Sequence, residues 1–184
     1  MPYSAPHFNE LSLHIIQQIP ITRYLDIGAG AGKFGIMVKQ SHPNSERVAV
    51  EICQDYVSRF NLMDIYATVD VYPAIELLER RLTDTWDLVT IGDTLEHLRK
   101  SEGIDLLNFL LYRSKYILVV YPDHFLADPW EGYRQEAHIS AWTKFDFDGM
   151  EYTNVDKAEM RLVMIRGYLA TLADPPLDVL VGFE

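Results

Sequence analysis

Four acidic residues and a run of alternating glycines hold most of the chemistry in this chain. Asp26-Ile27-Gly28-Ala29-Gly30-Ala31-Gly32 puts an acid two positions before the first glycine, with Glu51, Asp70 and Asp93 following at intervals. Glycine admits backbone with φ > 0 and lets a ligand lie against bare peptide atoms that a Cβ would block. Carboxylates accept hydrogen bonds from hydroxyls and amines and offset positive charge. Together they suit a ligand that donates hydrogen bonds or carries positive charge, and they have the wrong sign for a pyrophosphate.

Spacing narrows the ligand further. A phosphate-cradling loop needs glycine, four residues, then Gly-Lys-Ser/Thr. Around Gly32-Lys33 the earlier glycine falls on Ile27 and the hydroxyl on Phe34, so this loop is excluded. A dinucleotide fingerprint wants its third glycine where Lys33 stands. That reading is strained by a long charged side chain at a helix–sheet contact, but it stays open.

A second group of candidates is nucleophile-activating. His97 lies in Asp93-Thr94-Leu95-Glu96-His97-Leu98, and His138 in Glu136-Ala137-His138-Ile139-Ser140-Ala141-Trp142-Thr143. His124 follows Pro122-Asp123. A histidine with a pKa near neutrality can take a proton from an acceptor hydroxyl, and His138 is the preferred base, with His124 second. His97, early in a helix, is expected to pack and bond to backbone. Neither His138 nor His124 stands at metal-ligand spacing from a neighbour, and no carboxylate cluster for Mg²⁺ is apparent. No metal is therefore expected, and no serine–histidine–acid or cysteine–histidine triad can be assembled.

The elements that must position these residues alternate. Phe8, Leu11, Ile15 and Ile19 mark a helix face that Pro20 closes. Five strand-like runs follow, Tyr24 to Ile27, Val48 to Ile52, Tyr66 to Val69, Trp86 to Ile91 and Tyr116 to Tyr121. Helices are expected after Gly32, near Tyr56 to Met63, near Ala74 to Leu82, and near Glu102 to Arg113 with Ser101 as N-cap. Short apolar strands separated by helices imply a parallel sheet covered on both faces, and right-handed crossovers make it doubly wound. Ligands then bind at the carboxyl ends of the strands, where Asp26, Glu51, Asp70 and Asp93 fall. After Pro122 an aromatic-rich insert runs to about residue 148, followed by an antiparallel pair, Tyr152 to Asp156 and Arg161 to Ile165.

Acid-x-Gly-x-Gly-x-Gly and the later Asp93-x-x-Glu-His-Leu resemble two motifs of class I S-adenosylmethionine-dependent methyltransferases. The resemblance covers roughly the first two thirds of the chain. It implies an α/β, three-layer α/β/α Rossmann-like methyltransferase fold, with a mostly parallel seven-stranded sheet ending in an antiparallel C-terminal hairpin. It implies S-adenosylmethionine as cofactor, with S-adenosylhomocysteine as product. Asp26 would orient the loop and meet the ammonium end, Gly28, Gly30 and Gly32 would supply close backbone, and Glu51 with Ile52 would hold the ribose. Asp70 and Val71 would meet adenine, and Asp93 would sit beside the methionine part and the transferring methyl. Tyr121, His124, Phe125, Trp130, Tyr133, His138 and Trp142 of the insert and its flank would roof the methyl end, or alternatively fill a satellite core. The implied activity is O- or N-methylation of a small molecule; the alternatives are a non-catalytic cofactor-binding protein and a nicotinamide-dependent enzyme.

Composition bounds these readings. At 184 residues, 48% hydrophobic and 23% charged, the chain reads as one globular domain. A net charge of −11 repels phosphate backbones and disfavours nucleic acid as a partner. No apolar run reaches membrane-spanning length. A single cysteine, Cys53, and an N-terminus without a secretion pattern suggest the cytoplasm.

Overall fold

The computed structural model describes residues 6–123 and 133–182. Its centre is a seven-stranded sheet in the order β3-β2-β1-β4-β5-β7-β6. The strands are β1 Arg23–Ile27, β2 Glu46–Val50, β3 Thr68–Asp70, β4 Trp86–Gly92, β5 Ser114–Pro122, β6 Glu151–Lys157 and β7 Met160–Arg166. β1 to β5 pair in parallel, whereas β7 runs antiparallel to both β5 and β6. This is the expected mostly parallel sheet with its closing hairpin.

Successive residues of the inner strands face opposite layers, which divides the core in two. Leu25, Ile27, Val89, Ile91, Ile117 and Val119 pack under α4 (Leu77–Arg80) and α5 (Lys100–Leu111). Tyr24, Ala49, Leu88, Tyr116, Leu118 and Val120 pack under α1 (Asn9–Gln18), α2 (Lys33–Ser41) and α6 (Leu177–Val181). The remaining helix, α3 (Gln54–Arg59), follows β2.

Register fixes where the site must lie. Ile27 sits beside Val50 on one side and Ile91 on the other. The residues that follow each, Gly28, Glu51 and Gly92, therefore come to the same edge of the sheet. The chain winds outward in both directions from β1 and β4, so that edge is the topological switch point, where open α/β sheets bind ligands.

Several boundaries differ from those expected. β2 stops at Val50, because the Glu51 side chain accepts the Cys53 N–H at 2.8 Å and turns the chain out of the sheet. The helix expected over Tyr56 to Met63 breaks at Asn61, whose φ is +49°, into α3 and a 3₁₀ turn at Leu62–Asp64. The one expected over Ala74 to Leu82 divides into a 3₁₀ turn at Ala74–Glu76 and α4. α5 starts one residue before Ser101; the Arg99 N–H donates to Glu102 Oε2 at 3.1 Å, so Arg99 is the cap and Ser101 lies inside the helix.

The described part of the insert is not a separate appendage. Trp142 and Phe147 are fully buried in the same core cluster as Tyr121 and α5. A Cβ on Gly103 of α5 would overlap the Trp142 ring, and Trp142 Nε1 donates to the Leu95 carbonyl at 3.0 Å. Trp142 and Tyr121 are thus core residues and do not roof a pocket. His124, Phe125 and Trp130 lie outside the described residues.

Candidate active site

A cavity of about 270 Å³ opens at the switch point. Gly28 and Gly30 form its floor, Glu51 and Ile52 one side, and Gly92, Asp93 and Thr94 the other. Residues 72–75, Tyr56, and Gln135 and Glu136 of the insert also line it.

The glycines take different parts. Gly28 and Gly30 have φ of +71° and +52°, and a Cβ on Gly28 would overlap the Thr94 hydroxyl. The Gly30 N–H donates to Glu51 Oε2 at 2.8 Å, tying the loop to the end of β2. Gly32 also has positive φ, at +78°, but it meets Ile65 and Leu62 and does not line the cavity. Its role here is to start α2 against the second core.

Glu51 is almost entirely buried, with Oε1 and Oε2 each accepting one backbone N–H. Burial pushes its carboxyl up, against the pull of those two hydrogen bonds, and the neighbouring Glu136 and Asp26 add to the rise. A carboxylate offers about four lone-pair sites, so two remain for a diol facing it.

Asp26 sits beneath the loop, outside the cavity lining. Tyr66 donates to its Oδ2 at 2.5 Å and Thr90 to its Oδ1 at 2.7 Å. Tyr66 reaches it only because residue 35 is glycine; a Cβ there would overlap the phenol. Burial raises the Asp26 carboxyl, opposed by these hydroxyls. Its part in this arrangement is to hold β1, β4 and the segment before β3 together.

Asp70 is drawn away from the cavity. Arg81 Nη2 and Nε reach its Oδ2 at 2.6 and 2.8 Å, and Tyr72 donates to the same oxygen at 3.2 Å. Val71 is exposed. Neither lines the cavity; the next four residues do.

Asp93 follows β4 in the left-handed region, with φ +47°. A non-glycine residue held there is strained, and such strain collects at functional sites. Its N–H donates to the Val120 carbonyl at 2.8 Å, which fixes the turn.

His97 and His138 come together although 40 residues separate them in sequence. Ile139 and Ser140 N–H groups donate to the Glu96 carbonyl at 2.8 and 3.1 Å, pinning the insert to the turn after β4. The His138 ring meets His97 edge-on, with centroids 4.8 Å apart. His97 Nδ1 bonds to the Ala137 carbonyl at 3.0 Å, the backbone bond expected of it, while the residue also lines the cavity. Burial pushes the His97 pKa down, so the ring is neutral near pH 7.

Tyr56 and Glu136 carried no recognisable sequence signal. The Tyr56 hydroxyl donates to Glu136 Oε1 at 2.9 Å, across 80 residues of chain, and both face the cavity. Only the folding of the insert onto the sheet brings them together.

The lining includes the carboxylates Glu51, Asp93, Glu102 and Glu136, and among the described lining residues there is no lysine or arginine. Such a cavity favours a ligand that donates hydrogen bonds and carries positive charge over one that carries phosphate.

No protein-family model and no curated protein sequence matches this chain. Solved structures do. The N-terminal domain of EvdMO1, crystallised with SAH (S-adenosylhomocysteine) and D-fucose, superposes with a TM-score of 0.65 at 15% identity, over 90% of this chain and 84% of that one. An S-adenosylmethionine-dependent methyltransferase from Clostridium acetobutylicum gives 0.64 at 12% identity, over 86% and 91%. The N-methyltransferase NodS from Bradyrhizobium japonicum gives 0.61 at 11% identity, over 86% and 92%. Strand order, the single antiparallel strand and the glycine-floored cavity agree with these likenesses: the chain has the Rossmann-like fold of the class I S-adenosylmethionine-dependent methyltransferases.

Proposed function

We propose that the chain is an S-adenosylmethionine-dependent methyltransferase that modifies an oxygen or nitrogen of a small molecule. The observation that carries this reading is the cavity itself, floored by Gly28 and Gly30 and ringed by four carboxylates, with no lysine or arginine among the described lining residues. The cofactor supplies a methyl group on a sulfonium, whose cationic centre and donor groups match that lining. A nicotinamide dinucleotide would bring two phosphates into the same negative field.

In this reading Glu51 accepts both ribose hydroxyls with the lone pairs left after its bonds to Gly30 and Cys53. Ile52, at the same side of the cavity, covers the sugar and base, and Tyr72 to Ile75 take the place at the adenine that Asp70 and Val71 do not fill. Asp93 faces the amino acid end. Asp26 acts through Tyr66 and Thr90 on the loop, without touching the ligand. The chain's contribution to rate is to align the acceptor with the methyl group and to exclude water, which positioning alone makes large. The acceptor enters beside Asp93, Thr94 and His97, under Gln135 and Glu136 of the insert, which we read as the substrate-facing part of a single domain. The D-fucose present in the EvdMO1 structure supports an acceptor of that size.

Titration calorimetry with S-adenosylhomocysteine and with NAD tests the cofactor assignment. Saturable binding of the first and none of the second is expected; the reverse sinks the reading. Incubation with methyl-labelled cofactor and a metabolite pool then separates a transferase, which yields a labelled product, from a binding protein, which does not.

A further inference from the structure

Glu96 poses a problem that the methyl-transfer reading does not solve. It is 1% exposed, and neither carboxylate oxygen has a hydrogen-bond partner. A buried carboxylate without partners is strongly disfavoured, and native proteins retain such a group where something else compensates it. The nearby carboxylates of Asp93 and Glu136 make the local field more negative still. Two imidazoles stand close at hand. One atom from each of Glu96, His97 and His138 lies within 4.8 Å of the other two.

We infer that Glu96, His97 and His138 bind a divalent first-row transition metal ion at the acceptor end of the cavity. Three observations converge on it. Both Glu96 oxygens are left without hydrogen bonds, and a ligand atom of the carboxyl lies within 4.8 Å of a nitrogen on each histidine. The His97 Nδ1–H is spent on the Ala137 carbonyl, which leaves the Nε2 lone pair for a metal; outer-shell bonds of this kind fix the tautomer of ligating histidines. The third ligand is held from a distant segment by backbone bonds, since Ile139 and Ser140 donate to the Glu96 carbonyl and Ser140 Oγ donates to the Leu95 carbonyl at 3.2 Å. Metal–ligand bonds of about 2.0–2.2 Å put adjacent donors roughly 3–3.5 Å apart. Closing the present spread asks for side-chain shifts of about an ångström, within reach of rotamer adjustment of the half-buried histidines.

Donor chemistry selects the ion. Two imidazoles and one carboxylate suit Zn²⁺, Co²⁺, Fe²⁺ or Mn²⁺, whereas Mg²⁺ and Ca²⁺ prefer oxygen ligands throughout. Three protein ligands leave positions for an exogenous group, the pattern of sites that handle substrate. Because His97 also lines the cavity, an acceptor bearing an oxygen donor is the group that reaches the ion. This last step, which narrows the acceptor from oxygen or nitrogen to oxygen, rests on the methyltransferase reading; the metal site does not.

The test is a Co²⁺ titration of the full chain after chelator treatment, followed by calorimetry and by visible absorption of the bound ion, with Mg²⁺ as comparison. One Co²⁺ per chain is expected, with Mg²⁺ weaker, and both His138→Gln and Glu96→Gln should weaken Co²⁺ binding roughly 100-fold or more. Circular dichroism checks that the variants fold, and if Glu96→Gln does not, the half-buried His138→Gln decides the matter. The absence of saturable binding, or equal affinity in a folded His138→Gln variant, overturns the site and assigns any binding to surface histidines. S-adenosylhomocysteine affinity, measured on the same samples, keeps the two ideas separate: its loss with Co²⁺ binding intact counts against the cofactor assignment alone.

Discussion

At the scale of single residues, the site depends on carboxylates that differ in what already satisfies them. Glu51 has used one lone pair on each oxygen, so replacing it by alanine frees the Gly30 and Cys53 N–H groups and, on the proposed function, removes the acceptor for the ribose diol as well. Glu51→Ala should weaken S-adenosylhomocysteine binding by about 1–3 kcal/mol, or roughly 5- to 150-fold, in titration calorimetry. Asp26, by contrast, is fully engaged inside the fold. Removing one of its donors with Tyr66→Phe leaves a buried oxygen unpaired and should cost about 1–3 kcal/mol of folding stability in urea melts. The expected partners Asp70 and Val71 illustrate how a single neighbour alters an assignment. Arg81 stands eleven residues on and captures the Asp70 carboxylate, and no spacing rule announces that.

At the scale of elements, the parallel strands are fastened at their entry ends as well as at the site. Asp87, second residue of β4, accepts from the Thr22 N–H and hydroxyl at 2.8 and 2.7 Å and from the Arg23 N–H at 3.0 Å. Lys115 of β5 reaches its other oxygen at 3.2 Å and Asp174 at 3.3 Å. Burial would raise the Asp87 carboxyl, but the Thr22, Arg23 and Lys115 donors outweigh it and hold it below the usual range. A depressed folded pKa means stability that is present above the unfolded value of about 3.9 and lost as pH falls through the folded one. Asp87→Asn should therefore lower stability at pH 7 by about 1–3 kcal/mol and flatten the acid limb of the stability profile below about pH 4. An unchanged acid limb in pH-dependent denaturation would show that other carboxylates dominate it.

At the scale of the whole molecule, the insert after β5 is built into the core, so site and fold share one stability. Trp142 is fully buried, packs on Gly103 of α5, and has the Lys100 ammonium 3.8 Å from its ring centre. Trp142→Ala should cost about 3–5 kcal/mol in global unfolding, as large core truncations do. If the described insert segment were an independent lid, the urea midpoint would hardly move. No helix among the described residues is long and apolar enough to cross a membrane. The net charge of −11 leaves the surface repulsive to polyanions, so binding to DNA should stay undetectable in low-salt gel-shift assays.

Periodicity and glycine spacing were enough to order the elements. Alternating apolar runs and helical stripes are local patterns, and crossover handedness then permits few sheets. Gly28, Gly30 and Glu51 were legible for the same reason, since the register of β1 against β2 follows from burial and brings loop and acid together. What only the tertiary structure decided depends on contacts between distant segments. Arg81 withdraws Asp70, Tyr56 finds Glu136, and the insert returns to the turn after β4, setting His138 against Glu96 and His97. A linear sequence carries no distance between residues 97 and 138; backbone bonds from Ile139 and Ser140 to Glu96, with Trp142 sunk into the core, create it.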